Sequence, residues 1–170
     1  MGLELSNEFP QMRDAFDLSN KVRNELDMSP ISEYVFPNPV FNDQDRESQE
    51  QSLRQTQHTQ PAIGTVSLGM LSLLRAMGLS EQFYAGHSYG ELTALYAAGR
   101  LEKEDFLKLS VKRGQLMGSV KQGEEDEDRG SMIAVAMSES AIQAYLDGKS
   151  DLWVANVNGP DQVVLGGGST

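Results

Sequence analysis

Ser88 lies between Gly86 and Gly90 in the run Gly86-His87-Ser88-Tyr89-Gly90-Glu91. A Gly-x-Ser-x-Gly spacing suits a sharp strand-to-helix turn. Small neighbours let the chain fold tightly, the hydroxyl is lifted to the mouth of a sheet, and the following helix offers backbone N–H groups. On that reading Ser88 is a nucleophile and the Tyr89 N–H is an oxyanion donor. The same residues also spell an S-x-x-E capping box, in which Ser88 and Glu91 only close a helix start. The spacing leaves both readings open, and they can coexist.

A serine nucleophile needs a base. The histidines are His58 and His87. His87 adjoins Ser88, and neighbouring side chains leave a strand on opposite faces, so its ring is expected to pack, hydrogen-bonded, under the turn. His58 stands just before an expected helix start and reads as a surface or capping residue, with the base as the alternative. No histidine follows Ser88, whereas α/β-hydrolases place it after the serine. Either the chain is incomplete or Ser88 is not a nucleophile.

Arginine supplies the other chemistry. Positions 106, 109, 113, 116 and 120 form one stripe of a helix expected over 103–120, apolar except for Arg113. A guanidinium there needs an anion. That anion is either a ligand carboxylate or the side chain of Glu91 in an internal ion pair. Lys103, Lys108, Lys112 and Lys121 share this helix and read first as a solvated face, or else as an attractor of phosphates.

The elements that must hold these groups follow from periodicity. Phe9, Met12, Phe16, Val22 and Leu26 mark an amphipathic helix over about 9–26. Pro30, Pro37 and Pro39 impose an extended stretch, and 43–57 is polar enough for a solvated helix. From Pro61 the apolar positions step by three and four to Met77, so a helix is expected to start at Pro61 and stop at Gly78. Residues 83–86 read as a short strand and 89–98 as a helix ending at Gly99. The acidic stretch 122–130 reads as a linker. Beyond it come a strand, a capped helix over 138–148, and two strands around Asn158-Gly159-Pro160. This is a β-α-β-β unit, with the strand around 162–165 expected at an unpaired edge. There is no internal repeat.

Composition sets the bounds. The 170 residues can bury a sizeable core, and 39% hydrophobic with 23% charged residues is ordinary for a globular protein. A net charge of −11 argues against nucleic acid as partner. The absence of cysteine excludes disulfides and thiolates, and two histidines exclude a histidine-rich metal centre. The opening MGLELSNEFPQ lacks the basic and apolar regions of a secretory signal, and 62–77 is too short and polar to span a bilayer. A cytoplasmic protein without membrane or metal is expected.

Together these residues resemble the malonyl-CoA:acyl-carrier-protein transacylase family, which includes the acyltransferase domains of polyketide and polyunsaturated fatty acid synthases. The family's GHSxGE motif matches Gly86-His87-Ser88-Tyr89-Gly90-Glu91, its TQPA helix start matches Thr59-Gln60-Pro61-Ala62, and its RGxxM motif matches Arg113-Gly114-Gln115-Leu116-Met117. The segment VANVNGPDQVVLGG is similar to the family's small-subdomain strand pair, and FPNPVF with the Gln-rich helix looks most like the polyunsaturated-fatty-acid-synthase type.

The resemblance covers essentially the whole chain and implies an α/β architecture. A partial α/β-hydrolase-like large subdomain with its nucleophile elbow would occupy 1–121, and an incomplete ferredoxin-like (split βαβ) small subdomain 131–170. It implies Ser88 as the acylated nucleophile, Arg113 as partner of the malonyl carboxylate, and Gln60 and Asn158 as pocket residues. Gly86, His87, Gly90 and Glu91 would support the elbow. The donor implied is malonyl-CoA, and the acceptor is the phosphopantetheine thiol of an acyl carrier protein beside neighbouring synthase domains. No bound cofactor is implied. The lysines on the arginine helix could attract such an acidic carrier protein. Family members also carry an N-terminal oxyanion loop and a catalytic histidine beyond the small subdomain. The sequence therefore reads as an internal piece, expected to be inactive alone. A serine esterase or thioesterase, or a non-catalytic fragment, are the rival readings.

Overall fold

Helix α5 (Thr56–Ala76) is the axis of the first of two units, Met1–Gly123 and Glu124–Thr170, in a computed structural model that describes residues 1–119 and 130–168. The expected linker over 122–130 lies outside the described residues except for Gly130, as do Val120 and Lys121. Around α5 stand α1 (Leu3–Glu8), α2 (Pro10–Glu25), α3 (Ile31–Val35), α4 (Asp43–Arg54), α6 (Tyr89–Ala97) and α7 (Lys103–Ser119). Pro10 opens α2 where its missing N–H costs nothing. Met12, Ala15, Phe16, Ser19, Val22 and Arg23 then face inward at helical spacing. Helix α4 buries no residue and is capped by Asn42, whose Oδ1 accepts the Asp45 N–H at 2.8 Å, so it is the solvated helix expected.

Two apolar clusters hold this unit. One joins Ala15, Val22, Leu68, Tyr89, Tyr96, Phe106 and Leu107. The other joins Met12, Phe16, Ile31, Val35 and Ala62. Each large apolar side chain buried there contributes about 1.5–3 kcal/mol.

Four expectations fail in this unit. The stretch between Pro30 and Pro37 is not extended but forms α3, because Pro30 precedes the first turn without breaking it and the turn buries Ile31 and Val35 against Met12 and Phe16. Helix α5 starts at Thr56, so Pro61 lies inside it. Its first turn forms because the N–H groups of His58 and Thr59 both reach the Gln55 carbonyl at 2.8 Å, while the Thr59 hydroxyl donates to Leu53 O at 2.6 Å. Pro61 costs only the bond to Gln57, and its own burial with Ala62 offsets that. Residues 83–86 form no strand, and Phe83 is 91% exposed. A strand needs a partner, and the described part of this unit has none. Helix α7 buries Phe106, Leu107, Ser110, Val111 and Gly114, whereas Leu109 and Leu116 are 44% and 54% exposed. The face against α5 is chosen by closeness rather than by apolar size. A Cβ on Gly114 would lie 2.8 Å from Thr56 O.

The second unit follows the β-α-β-β order: β1 (Ser131–Val135), α8 (Glu139–Leu146), β2 (Leu152–Gly159) and β3 (Gln162–Gly167). Ser138 caps α8, its Oγ accepting the Ala141 N–H at 3.3 Å. All pairing is antiparallel in the order β1-β3-β2, with Val135 opposite Val163 and Leu152 opposite Gly167. β3 is thus the central strand, not the unpaired edge expected. The turn sets it beside β2, and β1 takes its other side. The reversal falls at Pro160 and Asp161, between paired Gly159 and Gln162. Val163 and Leu165 pack under Ile142 and Leu146 of α8. No helix of the described residues is long and apolar enough to cross a membrane.

Candidate active site

Ser88 has φ 52° and ψ −115°, a left-handed-side backbone that a residue with a Cβ rarely adopts. Such a conformation costs about 1–3 kcal/mol and persists only where neighbours enforce it. The enforcing contacts are visible. The Gly90 N–H donates to His87 O at 2.9 Å, and the Glu91 N–H to Ser88 O at 3.2 Å. A Cβ on Gly86 would collide with the Gly90 carbonyl and lie 2.5 Å from Glu91 N, so only glycine fits there.

The side chain of Ser88 makes no capping bond, which removes the capping-box reading. Its hydroxyl is exposed at the start of α6. Tyr89 opens that helix, so its N–H belongs to the first turn, whose donors lack carbonyl partners within the helix. The supporting roles divide unevenly. Gly86 acts through its missing side chain, and His87 and Glu91 through their backbone. A Cβ on Gly90 would meet nothing, so its contribution is the peptide that Gly86 packs against. The His87 ring is exposed rather than packed under the turn.

Arg113 comes from α7, half-buried, with Nη2 3.5 Å from Ser88 Oγ and Cζ 5.9 Å from the centroid of the Tyr89 ring. The expected alternative, an ion pair with Glu91, is not formed. Among the described residues no carboxylate pairs with Arg113. The guanidinium fork thus stands beside the serine hydroxyl with no carboxylate on it among the described residues.

Gln60 is only 6% exposed, its Nε2 lies 3.1 Å from Met117 Sδ, and its Oε1 is buried without a partner. Met117 is one turn beyond Arg113, so Gln60 reaches the same side of α7. Asn158 stands on β2 in the other unit, accepting from Asn156 and donating to Gln162 Oε1, both at 3.1 Å. His58 is neither a surface cap nor a base at the elbow. It is buried and stacked on Tyr34 with ring centroids 3.9 Å apart, and has no contact with Ser88. Burial, and then the Arg23 charge, hold its pKa below the ordinary histidine value.

Two residues of the site escape sequence reading. Ser110 Oγ lies 2.6 Å from a buried Tyr89 hydroxyl, and Gly64 leaves room for that hydroxyl. The available signal was Tyr89 itself, since a large phenol entering a core needs a partner.

The whole chain, residues 1–170, matches the family described as acyl transferase domain. It is 34% identical over 98% of its length to polyketide synthase GfsA of Streptomyces halstedii, and covers 2% of that protein. It is 28% identical over 96% of its length to a polyunsaturated fatty acid synthase of a Thraustochytrium species, covering 6% of it. Among solved structures it resembles the acyltransferase domain from the second module of the salinomycin polyketide synthase, with TM-score 0.75, 32% identity, and 99% of this chain against 35% of that one. It also resembles the malonyl CoA-acyl carrier protein transacylase of Clostridium perfringens, with TM-score 0.77, 28% identity, and 99% of this chain against 49% of that one. The chain thus spans a few per cent of these curated synthases and half or less of the solved transferases. With an exposed strained serine at a helix start and a family match along its full length, the chain belongs to the acyl transferase domain family.

Proposed function

We propose that the protein transfers a malonyl group from coenzyme A to the phosphopantetheine thiol of an acyl carrier protein through an acyl-Ser88 intermediate. The observation that carries this reading is Arg113, a guanidinium with no acid partner among the described residues and 3.5 Å from the Ser88 hydroxyl. An esterase has no use for a cation there, whereas a malonyl group brings a free carboxylate.

In this reading Ser88 Oγ attacks the thioester carbonyl and gives its proton to a base, a role that His58, stacked on Tyr34, does not fill. The oxyanion meets the Tyr89 N–H, the C–S bond breaks, and coenzyme A leaves with the proton. The carrier thiol then attacks the ester, and Ser88 regains its proton. Arg113 holds the carboxylate in both stages, while Gln60, on the same side of α7, lines the pocket beside it. The fold assigned is an α/β-hydrolase-like large subdomain and a ferredoxin-like small one. The β1-β3-β2 order and the β-α-β-β sequence support the latter. The setting is a cytoplasmic synthase with neighbouring domains, and the reading invokes no bound cofactor.

The test is to incubate the full-length protein carrying this sequence with malonyl-CoA and map the adduct by peptide mass spectrometry. A malonyl group on Ser88, absent from Ser88→Ala, is expected. An adduct elsewhere, undiminished loading of Ser88→Ala, or preferential cleavage of neutral esters would overturn it.

A further inference from the structure

Tyr89 follows the strained serine, and the turn sends the two side chains apart. Ser88 is exposed, while Tyr89 is only 8% exposed. The phenol ends 2.6 Å from Ser110 Oγ, and Ser110 Oγ lies 2.7 Å from the Phe106 carbonyl as its donor. A serine hydroxyl has one proton. With that proton committed to Phe106 O, Tyr89 must be the donor to Ser110. The chain of bonds is directional and buried at both hydroxyls.

Its seat is shaped by a glycine on a third helix. A Cβ on Gly64 of α5 would collide with the Tyr89 hydroxyl and come within 3.1 Å of Ser110 Oγ. The ring is thus pinned between α5 and α7. One turn beyond Ser110, Arg113 lies over that same ring at 5.9 Å and reaches Ser88 Oγ with Nη2. Burial pushes the Tyr89 phenol up to about 12, so it stays a neutral donor through the ordinary pH range.

We propose that Tyr89, anchored by Ser110 in the space left by Gly64, is a positioning residue that fixes the Arg113 guanidinium beside Ser88 and so sets the preference for carboxylated acyl groups. The proposal rests on the acyltransfer reading above for its substrate, but not for its geometry. An arginine side chain held only by solvent samples many rotamers, and each one lost on binding weakens capture of the carboxylate. A rigid aromatic wall removes that cost beforehand, and its face attracts the cation. The ring supplies the wall and the hydroxyl supplies its fixed angle, so the two parts are separable by substitution.

The experiment compares Tyr89→Leu, Tyr89→Phe and Ser110→Ala with the wild type in the full-length protein. Loading from malonyl-CoA and from acetyl-CoA is measured, together with the side-chain ¹⁵Nε order of Arg113. Tyr89→Leu is expected to lower the malonyl-to-acetyl ratio by about tenfold, chiefly through KM, and to loosen Arg113. Tyr89→Phe keeps the wall, so it should hold the ratio within about threefold while lowering Tm through the lost buried bond. Ser110→Ala should follow Tyr89→Phe. Equal losses of both acyl groups in Tyr89→Leu, or an Arg113 order that ignores the substitution, overturn the proposal. A wild type that loads no malonyl, with Arg113 order still dependent on Tyr89, overturns the substrate reading and upholds the positioning role.

Discussion

The unit Glu124–Thr170 and the unit Met1–Gly123 bury different things. The smaller one packs Ile142, Leu146, Val163 and Leu165 with no buried polar side chain among its described residues, under a helix capped by Ser138. The larger one encloses Arg23, His58, Gln60, Thr65 and Ser110 besides its apolar clusters. Among its described residues four buried side-chain polar atoms lack partners: Gln11 Oε1, Arg23 Nη1, His58 Nδ1 and Gln60 Oε1. It also holds Ser88 in a conformation that costs free energy.

The small unit buries only apolar side chains among its described residues, whereas the large one sets buried polar groups and a strained serine against its apolar core. Conflicts of that kind gather where a structure serves chemistry rather than stability. Part of the buried polarity follows this logic, since Tyr89–Ser110 and Gln60–Met117 both converge on α7 beside Arg113. The remainder does not. Arg23 and His58 both lie against the Tyr34 ring, with no tie to Ser88.

The sharpest way to break the contrast is Gly86→Ala. The added Cβ has no room against the Gly90–Glu91 peptide, so the elbow must shift. Loading of Ser88 should fall by about 10² or more, the usual effect of a misplacement near 1 Å. Near-normal loading would show that the elbow is not held by that contact. In the small unit, Ile142→Ala removes a core side chain and should destabilise it by about 2–4 kcal/mol, read as the urea midpoint of the sheet signal. A loss below about 1 kcal/mol would mean that α8 is not what closes this core.

The smallest effect concerns His58. Its folded pKa is lowered from 6.5, first by burial and then by Arg23, so the folded state binds fewer protons than the unfolded one. The stability it contributes is complete above pH 6.5 and is lost as pH falls through the lowered folded value. The Tm should drop between pH 7 and 5, and His58→Gln should flatten that drop. An unchanged slope in the variant would remove His58 as the cause.

Much of this was legible beforehand, and most of the failures share a cause, the early start of α5 being the local exception. Local signals served well: the spacing of Met12, Phe16 and Val22, the cap at Ser138, and the glycine at 86; at 113 they singled out an arginine in need of an anion but left open whether Glu91 supplies it. The other failures came where a long-range neighbour decides. Residues 83–86 had no described strand to pair with, and the face of α7 was set by how near α5 could come at Gly114. β3 became central because β1 returned to its far side, which no local pattern encodes. Ser110 was invisible for the same reason, since its role depends on a phenol 21 residues away.

The central claim is that Arg113 selects the free carboxylate of an acyl group carried on Ser88. Its most direct measurement is the ratio of malonyl to acetyl loading on Ser88 in wild type, Arg113→Ala and Arg113→Lys. A lost charge-assisted contact of about 2–5 kcal/mol predicts that Ala lowers malonyl loading at least about thirtyfold more than acetyl loading. Lys should restore it only in part, since a point charge cannot replace a planar fork. Equal losses for both acyl groups, with a lowered Tm, would instead make Arg113 a structural residue and contradict the account.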